Sequence, residues 1–265
     1  FIAESDFEKI VLETIDVYNR TLSNINLEQF NSNIIDPIKF LFDKEICHNN
    51  YETVINFEIA RQKDKTHSNA IGYFHQNMFK YIQCCEVPEH GWDVIVDKSK
   101  YKICVEMKNK HNTMNSASAG KTFIKMQAQL LSDDDCACFL VEAIAQRSQN
   151  IKWETTVDKK KVGHKLIRRV SLDQFYALVT GQEDAFYQMC MVLPDIIKKA
   201  VDELSGSIVP HDTVIDELKE LAKEQNIESE DLAIAMAAYM LGFGSYKGFV
   251  EVEICLMEIL PIAMD

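Results

Sequence analysis

Residues 91–108 alternate in side-chain character with a period of two, and few folds accommodate that pattern. The stretch reads Gly91-Trp92-Asp93-Val94-Ile95-Val96, then Asp97-Lys98-Ser99-Lys100, then Tyr101-Lys102-Ile103-Cys104-Val105-Glu106-Met107-Lys108. Two such runs around a short polar turn predict a β-hairpin. With Val96 paired to Ile103, Asp93 falls opposite Glu106. Trp92, Val94, Val96, Tyr101, Ile103, Val105 and Met107 then share one apolar face, and Asp93, Ile95, Cys104, Glu106 and Lys108 share the other. A slip of one residue would scramble both faces, so the pattern itself argues for this register. Two carboxylates meeting across the strands, with an ammonium two residues further on, suit a hard divalent cation with a water beside it.

An acidic residue, any residue, then lysine is a weak pattern by itself. It also occurs at Asp158-Lys159-Lys160, in a basic turn, and at Glu217-Leu218-Lys219, in a helical stretch. Only Glu106-Met107-Lys108 ends a strand with an aspartate opposite. The bland alternative is a solvated hairpin face with an ordinary salt bridge. The arrangement resembles the PD-(D/E)xK nuclease signature, with Trp92 standing where the signature has its proline.

Charge first argues against nucleic acid, because the net charge is −13 and phosphate binding needs cations. Its distribution points the other way. Residues 183–265 hold 17 acids against 5 lysines and no arginine. Residues 98–125 hold seven lysines against Glu106 alone, and residues 152–169 hold seven basic residues against two acids. A basic island around paired carboxylates is the footprint of a nuclease. Solvated turns are the simpler reading of Lys159-Lys160-Lys161.

At 265 residues, 47% hydrophobic and 26% charged, the chain is expected to be a globular protein with a full core. No apolar run is long enough to span a bilayer, and the opening residues do not read as a signal peptide. With Phe1 rather than methionine at the start, a few native residues are expected to have been cut away or replaced. Eight cysteines show no zinc or disulfide spacing, so buried free thiols in a reducing cytosol are expected.

Apolar spacing predicts a helical N-terminal region. Ser5-Asp6 reads as the cap of a first helix carrying Phe7, Ile10, Val11 and Tyr18. Further helices are expected over residues 36–42, with Pro37 in the first turn, over 51–62, and over 70–82 after a polar break at 63–68. The hairpin follows, then a polar loop at 109–120, a helix at 121–131 and a buried strand at 136–141. A short strand is expected at 168–170, then helices at 172–180, capped by Ser171 and ended by Gly181, and at 185–204. An endonuclease-like domain over 1–204, comprising helices 1–82 and a core 83–204, would join a 205–265 acidic helical region through residues 205–210. That region would carry helices at 212–224 and 231–241 and form a subdomain or a dimer contact. The order helix, hairpin, helix, strand predicts an α/β (α+β) core, a small mixed sheet flanked by helices.

Two motifs mislead. Ala119-Gly120-Lys121-Thr122 looks like the end of a P-loop, but Asn115 stands where the first glycine belongs. Gly242, Gly244 and Gly248 have the wrong spacing for a dinucleotide fingerprint and read as a helix end. His75 shares a polar helix stripe with Gln76 and Lys80, where a surface or capping role is the simpler reading.

Taken together, Asn69-Ala70-Ile71-Gly72-Tyr73-Phe74-His75-Gln76-Asn77, Gly91-Trp92-Asp93, the run from Glu106-Met107-Lys108 through Asn109-Lys110-His111-Asn112-Thr113-Met114-Asn115-Ser116, Ser148-Gln149-Asn150-Ile151 and Ile167-Arg168-Arg169-Val170-Ser171 resemble the type II restriction endonucleases that cut GGNCC. The likeness is densest over 69–193 and weakest after 205. It implies a homodimeric endonuclease of the bacterial cytoplasm, with double-stranded DNA as substrate and no membrane partner. A cognate DNA methyltransferase would be its genetic partner. It implies Mg²⁺ as cofactor, with Mn²⁺ expected to substitute. Asp93, Glu106 and Lys108 would be catalytic, and Asp93, Glu106 and the Met107 carbonyl would hold the metal. Lys110, His111, Asn112, Asn115, Lys121, Arg168 and Arg169 are candidate DNA contacts, with either arginine suited to guanine. Gln76 and Gln127 are candidate accessory residues, Gln127 sharing the apolar flank of its helix with Ile124 and Leu131. The competing readings are a repair or recombination nuclease with the same core, a DNA-binding protein without catalysis, and an acidic helical interaction protein.

Overall fold

Helix caps and breaks set the element boundaries in the computed structural model, which describes residues 1–22, 25–33, 35–99, 101–203 and 212–224 together with Ile234 and Ala237. Helix α1, Glu4–Leu22, opens earlier than the Ser5-Asp6 cap predicts, because the Ala3 carbonyl already accepts the N–H groups of Asp6 and Phe7. A short α2, Leu27–Asn31, has a capping box between Asn26 and Gln29. At five residues it is too brief for periodicity to reveal. In α3, Pro37–Ile46, Asp36 accepts the N–H groups of Ile38 and Lys39 ahead of Pro37, the expected proline-led start.

The helices expected at 51–62 and 70–82 are one continuous helix, α4, Tyr51–Met78, followed by a 3-10 turn at Phe79–Tyr81. The polar run at 63–68 contains neither glycine nor proline. Its polarity therefore marks exposure, while the backbone ladder continues.

Contacts divide the chain into two units. The first comprises Phe1–Val17 and Ser68–Gly206; the second comprises Tyr18–His67 with the described residues after Gly206. The sequence-based boundaries do not contain this pairing, which follows from a shared core. Val214 and Leu218 of α8, Val214–Glu224, are buried with Leu27, Phe30, Tyr51 and Val54. Lys63 also bonds Asp212 at 2.9 Å. The expected linker at 205–210 and the glycines at 242, 244 and 248 lie outside the described residues, as does the 231–241 helix apart from Ile234 and Ala237.

The first unit is built on a six-stranded sheet. Its strands are β1 Cys85–Glu86, β2 Val94–Asp97, β3 Lys102–Lys110, β4 Cys136–Ile144, β5 Asn150–Val157 and β6 Lys160–Ser171, ordered β1-β2-β3-β4-β6-β5. β3, β4 and β6 run parallel and the remaining neighbours antiparallel. The hairpin has the expected register, Val96 to Ile103 and Val94 to Val105. The first seven residues of β4 are buried, as a central parallel strand requires.

Helix α5, Ser116–Ser132, crosses from β3 to β4 and starts five residues before the expected position, because Asn115 caps it by accepting the Ser118 N–H. The P-loop look-alike therefore lies on its first turns. β5 was not expected, and β6 is longer than the predicted 168–170. The two form a hairpin turning through Asp158 and Lys159, both at positive φ. Most of its side chains are exposed, so the apolar alternation that betrays a strand is missing there. Helices α6, Leu172–Thr180, and α7, Ala185–Glu203, complete the unit. Gly181 ends α6 in the left-handed region. Ser171 stands at its N-cap, but the hydroxyl makes no capping bond and goes to Asp173 and Gln149.

Each sheet face has its own core. Val94, Val96, Ile103, Val105, Phe139 and Val141 pack with Phe7, Ile10, Phe74, Met78, Phe175 and Tyr176. On the other face, Cys104, Cys138, Leu140 and Ile167 pack with Phe123 and Met126 of α5. On the hairpin face expected to carry polar groups, Cys104 is buried in this second core, while Asp93, Ile95, Glu106 and Lys108 are half-buried. Trp92 packs on this second core rather than with Val94, and Tyr101 is exposed. The ladder ends at Val94–Val105 and the Asp93 N–H goes to the Val105 carbonyl, so alternation does not carry through to Trp92. Cys104, Cys136 and Cys138 are buried free thiols, whereas Cys47 and Cys190 are exposed, correcting the uniform burial expected. Among the described residues, no helix is long and apolar enough to cross a membrane.

Candidate active site

Where β2 begins, Asp93 turns its carboxylate onto the opposing strand. Its Oδ2 accepts the Met107 N–H at 2.6 Å, and its own carbonyl accepts from Gln76 Nε2 at 3.0 Å. Glu106 precedes that amide by one residue. Lys108 Nζ donates to Glu106 Oε1 at 2.7 Å, and Lys125 Nζ, arriving from α5, donates to Oε2 at 2.9 Å. Three candidate residues separated by up to fifteen positions are thus gathered at one end of the hairpin, joined by two residues from helices.

The two carboxylates sit in different fields. Burial raises the pKa of Asp93, and the Glu106 charge adds to that rise against the Met107 N–H and the lysines. Burial would also raise Glu106, but the hydrogen bonds and charges of Lys108 and Lys125 hold it below the usual carboxylate range. Glu106 is therefore the stably ionised partner, and Asp93 is a carboxylate in want of positive charge. Asp93 commits one oxygen to Met107 and keeps the other for a further partner. No group of three or more His, Cys, Asp or Glu side chains suited to a metal occurs among the described residues. Two carboxylates alone match a cation that retains waters and borrows phosphate oxygens, as Mg²⁺ does. The donor set fits such an ion.

Beside the pair lies a cavity of about 410 Å³, lined by Gly72, His75 and Gln76 of α4 along with Asp93, Lys108 and Asn109. Asn109 Nδ2 donates to the Ser68 carbonyl at 2.7 Å, tying β3 to α4. Burial pushes the His75 pKa down to about 4, so its ring is neutral at physiological pH. Its buried Nδ1 has no partner.

Comparison with known proteins places this site in context. Residues 1–202 match the family model described as Eco47II restriction endonuclease. The chain belongs to that family. Over 202 residues it is 31% identical to the type II restriction enzyme Sau96I of Staphylococcus aureus, covering 73% of this chain and 77% of that protein. Over 188 residues it is 30% identical to the type II restriction enzyme Eco47II of Escherichia coli, covering 67% and 77% respectively. It is accordingly a type II restriction endonuclease, and DNA is its substrate.

Among the expected DNA contacts, Lys110, Asn112 and Lys121 are exposed. Thr113 folds back on the Lys110 carbonyl through its N–H and hydroxyl, so the segment after β3 is a tight turn. Asn115 commits its side-chain oxygen to the α5 cap. His111 donates its N–H to Ile144, accepts from Arg169 Nη2 at 3.0 Å through its carbonyl, and buries an unpartnered Nδ1. Arg169 grips the fully buried Glu142 with two bonds of 2.9 and 2.6 Å. Its guanidinium is committed through Nε and Nη2, and the side chain remains partly exposed. Arg168 is tied to the side chain and carbonyl of Asn150.

Of the two accessory candidates, Gln76 reaches the site. Gln127 is exposed on α5, and the flank it shares with Ile124 and Leu131 faces solvent; Phe123 and Met126 are the buried positions. Lys125 and Gln129 make the helix's contacts to the site region, one turn apart, and sequence reading overlooked both. The available signal was a lysine and a glutamine at i, i+4 on the helix following the motif strand.

Proposed function

We propose that this endonuclease hydrolyses duplex DNA at GGNCC as a homodimer, using Mg²⁺, or Mn²⁺ in its place, held by Asp93, Glu106 and the Met107 carbonyl. The meeting of Asp93, just before β2, with β3 beside Glu106, and Lys108 on the Glu106 carboxylate, carries this reading. The likeness to the Sau96I and Eco47II enzymes supports the site of action. A bound divalent cation supplies a water of lowered pKa and positive charge beside the phosphate.

The chain's own residues perform the remaining work. The Met107 N–H fixes the Asp93 carboxylate, and Gln76 fixes the backbone behind it. Lys108, held by Glu106, stands where an ammonium stabilises the charge that develops as water oxygen joins phosphorus and a P–O bond breaks. Two identical subunits match a site that is palindromic apart from its centre, and a cognate methyltransferase would protect host DNA.

The test is a digest of DNA of known sequence, with and without Mg²⁺. Fragments ending at every GGNCC, lost without the metal and lost in Asp93→Asn and Glu106→Gln, are the expected result. Metal-independent cutting, fragments ending elsewhere, or cleavage surviving either substitution would overturn the corresponding part of the reading.

A further inference from the structure

Lys125 has three anchors, and only one of them is Glu106. Its Nζ lies 2.9 Å from Glu106 Oε2, 2.7 Å from the Gly91 carbonyl oxygen and 4.1 Å from the centre of the Trp92 ring. Trp92 is held in turn by its indole N–H to Gln129 Oε1 at 3.3 Å. Lys108 covers Oε1, so both oxygens of Glu106 carry an ammonium. Each oxygen keeps a second lone pair, but a divalent cation placed there would sit against an ammonium at hydrogen-bond distance, and that repulsion favours release of one of the two.

The two lysines are not equivalent in this exchange. Lys108 reaches its oxygen from two residues away on the same strand, and its side chain is less exposed, at 29% against 40% for Lys125. Lys125 can give up Oε2 and still keep a carbonyl acceptor and an aromatic face. Its release leaves no orphaned ammonium.

We infer that Lys125 is a resident counter-ion of the catalytic site: it holds Glu106 in position before the divalent cation arrives and yields Oε2 to that cation. This rests on the reading of Asp93 and Glu106 as the cation site. Two carboxylates and two ammoniums already balance. Adding a dication in the absence of DNA leaves a half-buried excess of positive charge, which is unfavourable, and a DNA phosphate reduces that excess. Cation and DNA binding are thereby coupled, each strengthening the other. Lys125 is a positioning residue in this scheme.

Mn²⁺ alone, titrated into the full chain without DNA and followed as free ion by electron paramagnetic resonance, tests the idea. Lys125→Gln and Lys125→Met should bind Mn²⁺ about tenfold more tightly than wild type, as expected when a hydrogen-bonded ammonium stops competing. Lys125→Arg should stay close to wild type. Glu106→Gln should remove this binding both alone and combined with Lys125→Gln. Mn²⁺ binding indifferent to Glu106→Gln would sink the cation-site reading itself. Binding that needs Glu106 but is unchanged or weakened in Lys125→Gln, with a native circular-dichroism spectrum, would sink the counter-ion role alone. Where the neutral variants fail to fold, a tenfold gain in Lys125→Arg would also reject it, because that variant keeps the charge.

Discussion

Asp93 and Glu106 are neighbours of the same chemical type with opposite consequences for stability. Asp93 has its pKa raised, by burial first and then by Glu106. The fold disfavours its ionised form, so stability falls as pH rises from the unfolded pKa through the folded one. Glu106 has its pKa lowered because its two lysines overcome burial. Its stabilising contribution is complete above the unfolded pKa and is lost as pH falls through the folded one. Asp93→Asn should therefore melt above wild type at neutral pH, with the gain shrinking in acid, whereas Glu106→Gln should melt below wild type at neutral pH. Thermal melts at the two pH values check this, and equal shifts in both variants would contradict it. Lys108→Ala should slow turnover about a hundredfold, the worth of one positioned charge at ~3 kcal/mol, while DNA affinity changes little. Single-turnover cleavage beside a binding titration separates the two effects. This trio was legible in the sequence because a hairpin with period-two alternation fixes which side chains share a face. Lys125 and Gln129 were not, because nothing local says that α5 passes that end of the hairpin.

At the level of elements, the segment after β3 is held from inside the protein. Arg169 on β6 bonds Glu142 on β4 and the His111 carbonyl beyond β3. Arg169→Ala strands a buried carboxylate and should destabilise by about 3 kcal/mol. A Glu142→Leu, Arg169→Met double variant should recover much of that loss. Urea denaturation measures both, and a mild loss in the single variant would show that the pair is not needed. A guanine reader would behave otherwise, relaxing cleavage at one base position with little change in stability. Asn115 offers a second contrast. As the α5 cap, its replacement by alanine should cost about 1 kcal/mol and leave site preference intact, as a melt and a digest of substituted sites will show. Sequence reading placed β2, β3 and β4 because their apolar patterns are dense. It missed β5 and most of β6 because an exposed ribbon needs no apolar face, and it split α4 because polarity resembles a break when only the solvent boundary has moved.

For the whole molecule, a site that is palindromic apart from its centre asks for two copies of the chain. Two copies of a 30.4 kDa chain are expected to act together on one site, so sedimentation should report a dimer. A supercoiled plasmid with one site should become linear with little nicked intermediate. A monomer that still makes double-strand breaks in one encounter would reject this. The sequence by itself determined the local frame of the candidate site: the acidic pair, the lysine beside it, the hairpin register and the basic residues around them. These depend on side-chain type and on a periodicity read within eighteen residues. Only the tertiary structure decided which distant groups complete the site, that Arg169 turns inward to Glu142, and that the described residues after Gly206 share a core with Tyr18–His67. Those outcomes depend on how apolar faces far apart in the chain find one another. Hydrophobic attraction is non-directional, so a pattern can announce that a face will be buried without naming the residues that will cover it.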